Sequence, residues 1–305
     1  MTNQNAANSE PWTIMRLLQW TTEHLKKSGS ASPRLDAEVL LSHARNCQRI
    51  ELYTAFNEEP PEEVKARFRE LIKRRAHGEP VAYLVGKKEF YSISFQVGPG
   101  CLIPRSETEH LVIECLDRAK VIRQSSPTHR FHIADVCTGS SCVAISIAKH
   151  LDASNIVAID ISEEALEIAR SNIDHYGLTD RIELRQSNLL DSIDNNTLDF
   201  IVSNPPYVSE TEYEHLDRSV KNFEPKVALV SGETGMELIQ KLAIQAIEKL
   251  KPSGWFLCEL SPMIADRSLD FVKAIGGWKN ESLVKDLSGN KRILIAQKAE
   301  HSDQA

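Results

Sequence analysis

The chain has no Cys-x-x-Cys pair. Its six cysteines, at 47, 101, 115, 137, 142 and 258, stand apart without paired metal-ligand spacing. This argues against zinc modules and disulfide scaffolds and fits reduced thiols in a cytoplasmic protein. No apolar run is long enough to span a bilayer, and Met1 to Glu10 is polar, with no signal-peptide core. Internal repeats are missing too. Positive charge is not in excess: the net charge is −7, and the basic clusters at Arg67, Arg69, Lys73, Arg74 and Arg75 and at Lys87 and Lys88 are offset by acids. Local basic patches are compatible with an acidic total, but no stable nucleic-acid binding is expected.

A composition of 41% hydrophobic and 26% charged residues is ordinary for a globular protein, and 305 residues hold one large or two modest domains. Residues 1–86 carry helical punctuation. Ile14, Leu17, Leu18 and Leu25 repeat at helical spacing and end in Lys26-Lys27-Ser28-Gly29, a basic last turn followed by glycine. Leu35, Val39 and Leu40 predict a second helix, and Ile50, Leu52 and Phe56 a short third. Pro60-Pro61-Glu62-Glu63 opens a fourth with proline and early acids. Residues 87–104 contain the alternating run Glu89 to Val97 and the turn Gly98-Pro99-Gly100, which predict a linking β-hairpin.

Residues 105–298 form the third region. A helix carrying Leu111, Val112, Cys115 and Leu116 inward leads into strand, helix, strand, helix. The strands are Phe131–Val136, Ile156–Ile159, Ile182–Leu184, Leu198–Val202 and Trp255–Leu260. The helices are Cys142–His150, Glu163–His175 and Met236–Leu250. Such alternation predicts an α/β, doubly wound, mostly parallel sheet with helices on both faces. Ser282–Asp286 and Arg292–Gln297, split by Ser288-Gly289-Asn290, predict a closing antiparallel hairpin, and His301 to Ala305 reads as a frayed tail.

The most informative segment is Asn204-Pro205-Pro206-Tyr207, directly after the strand that ends at Ser203. Two prolines fix φ, remove two donors and hold the preceding residues extended. The result is a stiff shelf at the edge of an α/β sheet where ligands bind. One amide and one aromatic ring are presented on it. Such a shelf suits alkylation of a planar nitrogen, whose delocalised lone pair makes it a poor nucleophile. Asn204 Oδ1 and the Pro205 carbonyl are the acceptors for the two N–H groups of that nitrogen, orienting it and stabilising its developing charge. Tyr207 is a surface for the flat group and a neighbour for a sulfonium. The plain alternative is a proline-stiffened turn after a core strand.

The Asn-Pro-Pro-Tyr segment resembles that of the S-adenosylmethionine-dependent amino methyltransferases. Further segments resemble one branch of them, the release factor glutamine methyltransferases (the HemK/PrmC family, protein-(glutamine-N5) methyltransferases). These segments are Ser32-Pro33-Arg34-Leu35-Asp36-Ala37-Glu38, Gly78-Glu79-Pro80-Val81-Ala82-Tyr83-Leu84, Leu102-Ile103-Pro104-Arg105-Ser106-Glu107-Thr108-Glu109 and Phe223-Glu224-Pro225-Lys226-Val227-Ala228-Leu229. The likeness runs from about Met15 to about Ala296. It implies a class I methyltransferase fold, with a seven-stranded sheet and an antiparallel C-terminal strand, preceded by a small helical domain. It also implies transfer of a methyl group to the glutamine of the Gly-Gly-Gln motif in peptide chain release factors. On that basis residues 1–86 are expected to dock the protein substrate, the alternative being a stabilising cap. Asn204, Pro205 and Tyr207 become candidate catalytic residues. Pro206 and Leu102 join them in substrate binding, with Arg105 and Glu107 behind them or simply ion-paired at a helix start.

A nucleotide-like cofactor binds such folds at the first strand-to-helix turn, here Asp135-Val136-Cys137-Thr138-Gly139-Ser140-Ser141-Cys142. The related enzymes carry glycine at 137, 139 and 141; this chain keeps only Gly139. Cys137, Thr138, Gly139, Ser140 and Ser141 are the candidate loop, with Asp135 either orienting the turn or meeting the amino-acid end of the cofactor. Asp160, at a strand end, is placed to accept both ribose hydroxyls; the alternative is a helix N-terminal acid. Asn188 stands where relatives often hold the adenine amine, and Leu189 beside it is placed to cover the ring. Asn204 borders the cofactor as well. Cys137 has no base near it in sequence and is no nucleophile.

Four readings follow: a release factor glutamine methyltransferase, a ribosomal-protein glutamine methyltransferase, a nucleic-acid amino methyltransferase, and a non-catalytic release-factor-binding module with a decayed cofactor loop. The intact shelf favours an enzyme over a decayed module, and the Pro-Arg-Ser-Glu-Thr-Glu and Phe-Glu-Pro segments favour release factors as substrate.

Overall fold

The computed structural model describes residues 11–300; the polar start at Met1 to Glu10 and the tail at His301 to Ala305 lie outside them. The chain divides into two compact units after Gly86.

The first unit is helical: α1 (Ile14–Lys27), α2 (Pro33–Arg45), α3 (Arg49–Thr54), α4 (Glu62–Ala76) and α5 (Val81–Val85). Thr13 caps α1 by accepting the Arg16 N–H at 3.3 Å, and His24, Lys26 and Lys27 sit in its last turn, where the helix dipole favours cations. Ile14, Leu18, Leu25, Leu40, Leu41, Leu52 and Phe68 build the core. Apolar spacing predicts α2, yet Leu35 is exposed while the acids Asp36 and Glu38 are buried. Partners explain the inversion. Asp36 accepts from Arg75 at 2.8 Å, and Glu38 accepts from Arg34, Tyr53 and Arg49 at 2.5, 2.6 and 3.2 Å. Paired carboxylates are tolerated where lone ones are not.

The second unit opens with the hairpin β1 (Lys87–Phe90) and β2 (Ile93–Gln96), followed by a 3-10 turn (Ser106–Thr108) and α6 (Glu109–Ser125). It continues through β3 (Phe131–Val136), α7 (Cys142–His150), β4 (Ser154–Asp160), α8 (Glu163–His175), β5 (Ile182–Gln186) and β6 (Leu198–Ser203). Two short helices follow, α9 (Glu210–Tyr213) and α10 (Arg218–Lys221), then α11 (Glu237–Lys249), β7 (Leu250–Glu259), α12 (Ala265–Ile275), β8 (Trp278–Lys285) and β9 (Lys291–Lys298).

The seven strands lie in the order β5-β4-β3-β6-β7-β9-β8, parallel except for β9, which is antiparallel to both β7 and β8. Strand alternation supplies two cores. Phe131 and Ile133 of β3 and Phe200 and Val202 of β6 face α6 and α7, whereas Ala134, Val136 and Ile201 face α11 and α12. Fully burying a ring such as Phe131 or Phe200 contributes about 2–3 kcal/mol. Strand β7 begins five residues before the predicted Trp255. Lys251 to Gly254, with Pro252 and a left-handed Ser253 (φ 63), form a bulge between the Leu198–Leu250 and Phe200–Trp255 pairs. A Cβ on Gly254 would stand 3.0 Å from the Lys251 carbonyl, so the bulge is closed around a residue with no side chain. Among the described residues no helix is long and apolar enough to cross a membrane.

Candidate active site

Strand order reverses at β3, which pairs with β4 on one side and β6 on the other. In an open α/β sheet this is where a crevice opens beyond the strand C-termini. A cavity of about 230 Å³ lies there. The turn after β3 forms one wall and the shelf after β6 another; the segment before α6 and the residues after Phe223 supply the rest.

The turn holds its shape without the two missing glycines. Cys137 and Ser141 adopt φ 60 and 59 all the same, and Gly139 adopts φ 54. Left-handed backbone costs a non-glycine residue about 1 kcal/mol or more, so something must hold it. Asp135 does: one carboxylate oxygen accepts the Thr138 hydroxyl at 2.6 Å and the Ala144 N–H at 3.1 Å, and the Thr138 and Ser141 hydroxyls lie 3.2 Å apart. Burial pushes the Asp135 carboxyl up to about 7 against those two hydrogen bonds. From the far side Asn172 of α8 donates to the Ser140 carbonyl at 3.0 Å while bonding both backbone groups of Gln96, at 2.8 and 3.0 Å. Strand β2 is thereby tied to the turn. A Cβ built on Gly139 meets no atom of the described residues within 4 Å, so the space before it is cavity.

Asp160 ends β4. Its carboxylate accepts the Gly139 N–H at 2.9 Å and the Ser162 N–H at 3.0 Å, and burial raises its pKa. The Ile161 N–H acts on it as well, so about one of its roughly four lone-pair sites is left for a ligand hydroxyl. Leu189 is buried and left-handed (φ 53), and Asn188 is exposed at the cavity mouth.

The shelf is fixed from below. Ser203 donates to the Val136 carbonyl at 2.7 Å, locking the ends of β3 and β6 together. Asn204 Nδ2 donates to Thr108 Oγ1 at 3.1 Å, and the Tyr207 hydroxyl donates to Glu259 Oε1 at 3.3 Å. Burial pushes the Tyr207 phenol up. Gly235 (φ 78) runs against the shelf so closely that a Cβ there would stand 2.5 Å from the Tyr207 carbonyl oxygen. Glu224 is buried and joins two walls, accepting the Ile103 N–H at 3.0 Å and the Arg105 guanidinium at 2.5 Å.

Of the residues expected at the site, Leu102, Arg105, Asp135, Cys137, Thr138, Gly139, Ser140, Asp160, Asn188, Leu189, Asn204 and Pro206 line the cavity. Ser141, Pro205, Tyr207 and Glu107 are not on its lining: Ser141 is fully buried, and the Tyr207 hydroxyl turns to Glu259. Thr108, Ile161, Ser162, Val143 and Val227 also line it and were not anticipated. Thr108 and Val227 left a trace in the sequence, within Leu102-Ile103-Pro104-Arg105-Ser106-Glu107-Thr108-Glu109 and Phe223-Glu224-Pro225-Lys226-Val227-Ala228-Leu229.

An adenosyl group with a charged amino-acid tail asks for an acidic acceptor toward its vicinal hydroxyls, an apolar slot for its base and open backbone near its tail. Asp160, the pair Leu189 and Ile161, and the space before Gly139 meet those needs. Fold and pocket together define a class I S-adenosylmethionine-dependent methyltransferase. Residues 110–223 match the "Methyltransferase small domain" family model and residues 16–86 the "PrmC N-terminal domain" model. The catalytic domain of hMettl16 in complex with a 3′UTR hairpin has the same fold, with a TM-score of 0.54, 15% identity, and coverage of 77% of this chain and 83% of that one. A release factor glutamine methyltransferase of Rhodopirellula baltica is 50% identical over 96% of this chain and 99% of its own length. One of Koribacter versatilis is 42% identical over 94% and 99%. The chain belongs to the release factor glutamine methyltransferase family.

Proposed function

We propose that the protein methylates the side-chain amide nitrogen of the glutamine in the Gly-Gly-Gln motif of a peptide chain release factor. S-adenosylmethionine supplies an electrophilic methyl group on a sulfonium. The observation that carries this reading is the shelf: Asn204 and Pro206 line the same cavity as Asp160, Gly139 and Leu189, so an amide on the shelf meets the methyl donor in one enclosure. Asn204 Oδ1 accepts one amide N–H and aims the nitrogen lone pair, and the Pro205 carbonyl, although Pro205 is off the cavity lining, is the proposed acceptor of the second. As the nitrogen gains positive character, its N–H bonds to these oxygens strengthen, which stabilises the transition state more than the bound substrate. Asp160 holds a ribose hydroxyl, and Asn188 and Leu189 hold the adenine.

Residues 1–86 dock the release factor, and the protein works in the cytoplasm, where translation factors are found. The acidic net charge of −7 supports a protein substrate over a nucleic acid.

The test is methyl transfer to a purified release factor with calorimetry of S-adenosylmethionine binding alongside. Asn204→Ala should lower kcat about a hundredfold or more while the cofactor still binds, as expected for removal of a transition-state acceptor. Turnover near the parent's rate in that variant would refute the clamp.

A further inference from the structure

An asparagine amide has two ends of nearly equal shape, and only one of them can accept a hydrogen bond. For the clamp, Asn204 must present Oδ1 to the substrate and keep its NH2 group turned away. The structure shows the partner that takes the NH2 group, Thr108 Oγ1 at 3.1 Å. Thr108 is itself buried, at the end of the 3-10 turn before α6. A hydroxyl has a single proton, so Thr108 can either receive from Asn204 or donate to it. What decides is where that proton goes.

Glu259 stands beneath the shelf as the last residue of β7, 1% exposed. Its Oε1 receives the Tyr207 hydroxyl, and its Oε2 has no hydrogen-bond partner among the described residues. No Thr108–Glu259 hydrogen bond is formed in the structure as it stands. The Thr108 hydroxyl nevertheless acts on the carboxyl in the sense that favours its ionised form, and the orphaned Oε2 is the atom left to receive it. The other groups acting on Glu259 are the Arg292 cation of β9, which also favours the ionised form, and the Glu107 anion of the 3-10 turn, which opposes it. Its neighbour Cys258 is buried with its thiol pushed up, so it adds no charge.

We propose that Thr108 and Glu259 are positioning residues that set the orientation of the Asn204 amide. Ionised Glu259 accepts the Thr108 hydroxyl, the Thr108 oxygen accepts the Asn204 NH2 group, and Asn204 Oδ1 is left facing the methyl-accepting nitrogen. When Glu259 takes a proton, the Thr108 hydroxyl is released to donate to Asn204 Oδ1, and the amide turns its donor end into the cavity. Burial sets that protonation near neutral pH, with Glu259 pushed up to about 7. Burial pushes Asp135 up to about 7 as well, so an acid limb in the parent's profile assigns nothing by itself. The difference between variants does.

The kinetic part of this inference rests on the proposed amide transfer; the orientation itself does not. Two measurements keep them apart. In ¹H–¹⁵N spectra of the full chain, the Asn204 side-chain NH2 signal, identified by its loss in Asn204→Ala, should titrate near neutral pH in the parent. It should stop titrating in Glu259→Gln and move in Thr108→Val. An Asn204 signal indifferent to both substitutions would overturn the relay whether or not release factors are substrates. In the transfer assay, Thr108→Val should lower kcat about tenfold or more with cofactor affinity unchanged, and Thr108→Ser should restore it to within about threefold. Glu259→Gln should lower kcat and flatten its acid limb. A Thr108→Ser enzyme as impaired as Thr108→Val, or a loss of cofactor affinity matching the loss of kcat, would mean packing and refute the proposal. A parent that gives the expected NH2 titration but no transfer would leave the relay standing and remove the release factor reading.

Discussion

Two loops meet at this cavity, and they are held rigid by opposite means. The turn after β3 places non-glycine residues in left-handed backbone, at Cys137 and Ser141, and offsets the strain with a buried carboxylate, Asp135, that binds the Thr138 hydroxyl and the Ala144 N–H. The shelf after β6 uses restriction built into the chain, two prolines in a row, and needs support only at its side chains. In one loop rigidity is imposed by surroundings; in the other it is intrinsic. The first tolerates sequence change wherever its supports persist, so Cys137 and Ser141 sit in left-handed backbone without being glycine. The second keeps its stiffness in isolation, but its place depends on Gly235 passing close to the Tyr207 carbonyl.

The comparison can be broken at three points. The largest effect is expected at Gly235, whose missing side chain lets it pass the shelf. Gly235→Ala puts a methyl 2.5 Å from the Tyr207 carbonyl at φ 78 and should cost about 3 kcal/mol in a urea melt. It should also lower methyl transfer more than cofactor binding. Ser141 tests the turn. Ser141→Val loses the contact with Thr138 and places a β-branched residue at φ 59, for an expected loss of about 2 kcal/mol. Ser141→Gly exchanges that contact for relief of strain and should stay within about 1 kcal/mol of the parent. If valine and glycine behave alike, the turn is not strained.

The smallest effect is in pH dependence, and it has the same sign in both regions. Asp135 under the turn and Glu259 under the shelf are each raised to about 7 by burial. An acid whose folded pKa exceeds its unfolded one binds its proton more tightly when folded. Its stabilising contribution is complete below about pH 4 and is lost as pH rises through about 7. Urea midpoints should therefore fall between pH 5 and pH 8, with a slope of at most about 1.4 kcal/mol per pH unit for each group. Glu259→Gln should make the decline shallower, and a slope equal to the parent's would show that Glu259 is already ionised at pH 5.

The parts legible from sequence were those set by local periodicity. Phe131–Val136, Cys142–His150 and Glu163–His175 form as predicted, because each alternates or repeats in step with its own element and is bounded by caps such as Ser162, which accepts the Ala165 N–H. The first half of β7 was hidden, since Pro252, Ser253 and Gly254 spell a turn unless the neighbouring strand is known to hold them as a bulge. The burial of Asp36 and Glu38 was hidden for a similar reason, because Arg75 lies 39 residues from Asp36 along the chain. At the site, the cavity-lining amide Asn204 and the acid that ends β4, Asp160, could be named from motif and position. Thr108 and Glu259 could not. A threonine before a helix and a glutamate at a strand end read as capping or solvated residues until a tertiary contact joins them to the shelf.

Glu224 has one more consequence. It links the segment before α6 to the segment after the shelf, through bonds to Ile103 and Arg105 that span 121 and 119 residues. Closing so long a loop is slow compared with forming helices and neighbouring strands. The rim of the cavity is therefore expected to close after the helices and neighbouring strands have formed. In refolding, methyl-donor binding should then appear later than the helical signal, a functional marker of rim closure.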